Sequence, residues 1–197
     1  VVDHVMLWGA PTESIESPTS VWQQLEAIRR TPWAHASGVP IYISAYGIDT
    51  GGANTSDVYV WAALAERSGC LATKGSSQRK MPVLNKPRRT EAKNAKGEMS
   101  KHGVALWIVG TDTAKEALFR RLGDWTEVEH PEQRMVRLSK QLGSDAFREL
   151  TAEVFDPGTG LWKKLRARNE FLDLMVYSHA AASHPGMRVD KLTAADW

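Results

Sequence analysis

The sequence predicts a single α/β domain in which a mostly parallel sheet is covered by helices. Three observations lead there. The first 73 residues alternate strand and helix signals in the order strand, helix, strand, helix, strand, and that alternation is how βαβ units lay down parallel strands. A chain of 197 residues with 42% hydrophobic side chains is long enough for one well-filled core and short for two. The single Cys70 excludes an internal disulfide framework and points to a reducing compartment.

Val1–Leu7 is an apolar run ended by Gly9, Ala10 and Pro11, and reads as a buried strand. Thr19 or Ser20 is placed to cap a helix over Val21–Arg30, where Val21, Leu25 and Ile28 form one stripe and Pro32 stops the chain from continuing. Ile41–Ile48 is rich in β-branched and aromatic residues and predicts a second strand with Asp49 at its end. Thr50-Gly51-Gly52 then turns the chain. Thr55 or Ser56 caps a helix to about Arg67, which makes Asn54-Thr55-Ser56 a helix start rather than a glycosylation sequon. Cys70–Thr73 is a short strand followed by Lys74-Gly75.

The stretch Lys74–Lys101 differs in kind. It carries nine basic residues against two acidic ones, with Pro82, Pro87 and Gly97 among them, and is expected to form a long loop or hairpin insertion. Its net charge of +7 over 28 residues suits contact with nucleic-acid phosphates, although such runs also serve only to solvate a loop. Val104–Val109 predicts a strand and Thr111 or Asp112 a cap for a helix through Leu122. A short helix is expected at about Ser144–Phe155, and a last one over Asn169–Ala182. The domain is expected over 1–183, with residues 184–197 as a tail. Because the sequence opens on Val inside an apolar run, a piece of a longer chain is expected, and no basic flank or run of 18 apolar residues marks a secretory signal or membrane span.

Some chemistries are excluded by motif. There is no G-x-x-x-x-G-K-[ST] loop, no H-E-x-x-H, no paired C-x-x-C and no G-x-S-x-G. Carboxylates remain. A hard divalent cation such as Mg²⁺ takes one or two carboxylates with waters and substrate phosphate. Asp49, at a strand end and followed by two glycines, fits either such a ligand or the opening of a turn. Glu170, Asp173 and Tyr177 are spaced i, i+3, i+7 and share one helical face. Glu170 also suits the helix dipole, whereas Asp173 lies deeper in the helix. Glu153 and Asp3 read as structural, His179 and His184 as surface residues, and Trp107, Trp125 and Trp162 as core; the other histidines show no metal-ligand spacing.

Taken in order, several runs resemble one family: Tyr46-Gly47-Ile48-Asp49-Thr50-Gly51-Gly52, Asp57-Val58-Tyr59-Val60-Trp61, Ala72-Thr73-Lys74-Gly75, Val109-Gly110-Thr111-Asp112 with Lys115, Leu150-Thr151-Ala152-Glu153, and Asn169-Glu170-Phe171-Leu172-Asp173 with Tyr177. The chain is similar, up to about Ala182, to the C-terminal nuclease region of lambda-type phage terminase large subunits. That resemblance implies an RNase H-like mixed sheet flanked by helices, with the family's first strand and its acidic residue upstream of Val1. It further implies a Mg²⁺- or Mn²⁺-dependent endonuclease that cuts concatemeric double-stranded DNA during packaging in the host cytoplasm. Asp49 and Asp173 match the family's metal-binding acids, Glu170 a supporting one, and Lys74, Arg79, Lys80, Arg88 and Arg89 would contact DNA. The implied partners are a small terminase subunit, a portal protein and an ATPase domain upstream. The alternative reading is a catalytically silent DNA- or portal-docking module. Another RNase H-like enzyme, such as a transposase or resolvase, is disfavoured because the runs outside the acids are terminase-like.

Overall fold

The computed structural model describes residues 3–35, 37–93, 97, 99, 102–123, 136–187 and 189–191. Of the features expected above, Val1 and Val2, the basic Lys96 and Lys101, Glu98, Trp125, His130 and the tail from Leu192 onward lie outside the described residues.

Helix α1 spans Val21–Arg30, and Ser20 caps it by accepting from the Gln23 N–H at 3.3 Å. Strand β1 is Tyr46–Asp49, helix α2 Thr55–Ala65, and strand β2 Cys70–Ser76. Strand β3 (Arg88–Thr90) lies inside the basic insertion, and β4 (Val104–Gly110) leads directly into α3 (Thr111–Gly123). The sheet order is β1-β2-β4-β3, with β1, β2 and β4 parallel and β3 antiparallel at the edge. The predicted α/β class and mostly parallel sheet are therefore observed. Among the described residues no helix is long and apolar enough to cross a membrane.

Side chains alternate across the sheet and so divide between two layers. Tyr46, Ile48, Cys70, Ala72, Val104 and Leu106 pack with α1 and α2, where Trp22 stacks on Trp61 at 5.2 Å. On the other face lies α5 (Glu170–Ala182), whose Val176 and Ala180 pack with Val109 of β4 and Ala114 of α3. Helix α4 (Ser144–Leu150) adds Ala146 and Leu150 to a cluster with Leu118, Phe171 and Leu172.

Three expectations are corrected. The described part of Val1–Leu7 forms no strand, and Val5 and Met6 are 51% and 52% exposed. An apolar run signals burial but becomes a strand only where a partner supplies backbone bonds, and the described residues of this run show none. The strand expected over Ile41–Ile48 starts at Tyr46, because its neighbour β2 starts at Cys70 after the left-handed Gly69; Ile41 instead makes an isolated bridge to Trp33. The helix expected to reach Phe155 ends at Leu150, and Glu153–Asp156 (β5) pairs antiparallel with Leu161–Lys164 (β6). Pro157-Gly158-Thr159-Gly160 between them is a turn sequence, with Gly160 at φ +69°.

The hairpin is fastened to α3. Trp162 of β6 lies 5.0 Å from Phe119, and Lys115 Nζ donates to Glu153 Oε2 at 2.7 Å. Both charged side chains are about nine-tenths buried, at 10% and 9% exposure. The start of α5 is held from α4: Glu149, itself buried, accepts from the Phe171 N–H at 3.0 Å and pairs with Arg168 at 3.1 Å.

Two stability predictions follow from these buried charges. Lys115→Met leaves the Glu153 carboxylate buried without its cation, and is expected to lower the unfolding free energy by about 3 kcal/mol or more in urea titrations. Glu149→Ala removes the acceptor at the start of α5 and is expected to cost about 1–3 kcal/mol by the same measurement.

Candidate active site

Asp49 is delivered by a braced strand end. Thr50, fully buried, bonds through both its backbone N–H (2.8 Å) and its hydroxyl (2.9 Å) to the Thr73 carbonyl, while the Thr73 hydroxyl donates to the Ile48 carbonyl at 2.8 Å. After the turn, the Thr55 hydroxyl donates back to the Thr50 and Gly52 carbonyls at 2.8 and 2.7 Å. It thus ties the start of α2 to the loop rather than capping the helix, whose cap position Asn54 makes no side-chain bond. Asp49 itself is exposed, and its Oδ1 accepts from the Gly51 N–H at 3.0 Å.

Helix α5 comes to meet it. The Tyr177 hydroxyl donates to Asp49 Oδ1 at 3.0 Å across 128 residues of sequence. Two glycines permit this approach. A Cβ on Gly47 would sit 3.4 Å from the Tyr177 backbone and side chain, and one on Gly75 would sit 3.3 Å from its hydroxyl and 3.0 Å from Thr111 Cγ2. Asp173 lies one turn before Tyr177 on the same face, half-buried. Its carboxyl is raised above the usual range, first by burial; the Lys115 ammonium opposes this, and the neighbouring Glu153, Glu170 and Asp49 carboxylates add to it. The predicted shared face of Glu170, Asp173 and Tyr177 thus turns toward Asp49. Glu170, at the first position of α5, stands exposed at its rim.

Behind Asp173 runs a bonded chain. The Asn169 side-chain amide donates to Asp173 Oδ2 at 3.0 Å and to Glu153 Oε1 at 2.8 Å, and Glu153 Oε2 accepts from Lys115. Asp112, buried at the start of α3, has its carboxyl raised by burial first, with Lys115, Glu116, Arg79 and Glu153 around it. Sequence reasoning did not find this network. Lys115, Glu153 and Asn169 come from three elements with no fixed spacing, and the only signal was their presence in the family-like runs.

The predicted DNA-contact residues separate. Arg79 lies at the hairpin turn, its guanidinium filling the space where a Gly160 side chain would be, 2.3 Å from the built position. Lys80 follows in a left-handed conformation at φ 60°. Lys74 is exposed at the carboxyl end of β2, but alternation turns it to the α2 face, away from Asp49. Arg88 and Arg89 pair with Leu106 and Ala105 near the amino end of β4, at the opposite end of the sheet. Arg89 is already engaged by Glu66 through two bonds of 2.8 Å.

Asp3 is exposed and accepts from its neighbour's N–H, and among the described residues it joins no cluster. His184 packs edge-on to Trp107 at 4.9 Å, and His179 is half-buried with its imidazole pKa lowered by burial and by Arg121. Burial pushes the Cys70 thiol up to about 12, which leaves it no use as a nucleophile.

The donor chemistry suits a hard cation, since the groups converging here are carboxylates without thiol or imidazole. Among the described residues no group of three or more His, Cys, Asp or Glu side chains is arranged to hold an ion by itself. Mg²⁺ asks less of a protein, since one or two carboxylates suffice when waters and phosphate complete its shell.

Comparison with known proteins bears on what this cleft is for. The family described as terminase large subunit gpA, endonuclease domain, matches residues 1–197. The chain is 29% identical to the terminase large subunit of Enterobacteria phage P21 over 191 residues, covering 92% of this chain and 28% of that protein. It is 32% identical to the terminase large subunit of Escherichia phage lambda over 167 residues, covering 79% of this chain and 24% of that protein. It therefore spans about a quarter of the length of the curated relatives it matches. No solved structure matches. With the whole chain matched, this protein belongs to the family of terminase large subunit gpA endonuclease domains.

Proposed function

We propose that this domain cuts concatemeric double-stranded DNA during phage packaging by metal-assisted hydrolysis of a phosphodiester. The observation that carries the reading is the meeting of Asp49, at the carboxyl end of a parallel strand, with the Asp173–Tyr177 face of α5, among neighbouring carboxylates. Strand carboxyl ends are where sheets of this kind place their sites. Asp49 and Asp173 would hold Mg²⁺ or Mn²⁺, which would supply the chemistry of activating a water and stabilising the leaving oxygen.

The chain's own groups do the rest. Tyr177 and the Gly51 N–H orient Asp49 by occupying Oδ1. Lys115 offsets part of the carboxylate charge that would otherwise oppose ionisation of Asp173. Glu170 stands at the cleft mouth as a supporting acid. Arg79 and Lys80, on the segment leaving β2, are placed to take phosphates, and Lys74 serves the same backbone from the other face. An RNase H-like arrangement, with an upstream strand adding a third acid, belongs to this reading. So do an upstream ATPase domain, a small terminase subunit, a portal protein and the host cytoplasm as setting.

One observation favours a second reading, a silent module that docks DNA or the portal: among the described residues no three metal-ligating side chains stand together. Titration with Mn²⁺ separates the two. Salt-sensitive DNA binding with no Mn²⁺ taken up at millimolar concentration selects the docking module.

In the full-length large subunit, Asp49→Ala is expected to abolish Mn²⁺-dependent nicking of supercoiled plasmid while circular dichroism stays unchanged; full nicking by the variant would remove Asp49 from the chemistry. Tyr177→Phe keeps the ring but loses the bond to Asp49, so nicking is expected to fall roughly tenfold with stability changed by no more than about 1 kcal/mol. Undiminished nicking would show that Asp49 needs no such orientation.

A further inference from the structure

Asn169 stands at the cap position of α5 but does not cap it. Asn is among the best residues for that place because its side-chain oxygen can accept from the second or third backbone N–H of the helix. Here it makes no such bond, and its backbone sits at φ −141°, ψ 19°. The carboxylate of Glu149 arrives from α4 and accepts from the Phe171 N–H instead. The Asn169 amide, only 8% exposed, is thereby free for another task. Both of its amide hydrogens go to carboxylates, one to Glu153 Oε1 at 2.8 Å and one to Asp173 Oδ2 at 3.0 Å. Two acceptor-only partners also decide which end of the amide is nitrogen. Glu153 in turn spends its other oxygen on Lys115 at 2.7 Å, which makes it an anchor rather than a ligand.

We propose that Asn169 is a positioning residue: its amide, anchored by the buried Glu153–Lys115 pair, holds the Asp173 carboxylate in the orientation that grips a divalent cation. This rests on the reading of Asp49 and Asp173 as the cation ligands. Asn169 takes Oδ2 alone and leaves Oδ1 to the cation. The result is a relay from α3 through β5 to the start of α5, which couples the placement of the hairpin to the geometry of the site.

The test uses the full-length large subunit without nucleotide, Mn²⁺ titration followed by electron paramagnetic resonance of the free ion, and thermal unfolding. Asn169→Ser retains a good cap residue but is too short to bridge the two carboxylates. Mn²⁺ affinity is expected to drop roughly tenfold, the size of effect seen when a ligand loses its supporting partner, with the melting temperature lowered no more than in Glu149→Ala. Unaltered affinity in Asn169→Ser, alongside lost binding in Asp173→Asn, overturns the positioning role and leaves the cation site standing. Full Mn²⁺ binding by Asp173→Asn, or none by the unsubstituted chain, overturns the cation site and the relay with it. Glu149→Ala, which disturbs the start of α5 without touching Asp173, is the structural control. An equal loss of affinity in that variant reduces Asn169 to a packing role and likewise overturns the proposal.

Discussion

Helix α5 meets Asp49 where the sheet beneath it carries glycines. A carbon added at Gly75 would stand 3.0 Å from Thr111 Cγ2 and 3.3 Å from the Tyr177 hydroxyl, tighter than most real contacts, and one at Gly47 would meet Tyr177 at 3.4 Å, the near edge of ordinary contact. Their absence of side chains lets the helix lie close enough for a 3.0 Å bond between its Tyr177 and the strand's Asp49. Every other property of the cleft depends on that approach, since Asp173 is carried on the same helix one turn away. The Thr50–Thr73 bonds matter for the same reason: they fix the height at which β1 ends relative to β2.

The cleft gathers more negative charge than it neutralises. Asp49, Asp173, Glu153 and Glu170 act on one another, and Lys115 is the cation set against them. Burying Lys115 and Glu153 together carries a desolvation cost that their short contact only partly offsets. Their retention in this place is intelligible if the pair has a task beyond holding the fold. It keeps one acid out of play while two others remain exposed or half-exposed. The division of labour at the start of α5, with Glu149 serving the helix and Asn169 serving the acids, belongs to the same economy of groups.

The basic insertion shows how net charge in sequence can divide in space. Leaving β2 at Ser76 and returning antiparallel to β4 as β3, it runs from one end of the sheet to the other. Arg79 and Lys80 stay near the carboxyl ends of the strands, and Arg88 and Arg89 are carried to the amino end, where Glu66 engages one of them. Among the described residues the charge run is thus divided between the two ends of the sheet, with Arg79 beside the buried Asp112.

How much of this was readable beforehand follows from which forces are local. Helices α1 and α5 were legible to within a residue, because caps and i, i+3, i+4 stripes act over one or two turns. Asp49 and the Glu170–Asp173–Tyr177 face were legible for the same reason, one by its strand end and the other by helical spacing. The hairpin at Glu153–Lys164 was hidden behind a helix expectation although its Pro-Gly-Thr-Gly turn was in plain view, and the apolar opening failed as a strand because pairing needs a partner that periodicity cannot see. Residues determined by themselves the class of the fold, the candidate acids and the small residues beside them. Which acids meet, which is locked to Lys115 and which arginines stand near them were decided only by tertiary structure, because those contacts join residues dozens of positions apart and depend on how helices settle on a sheet.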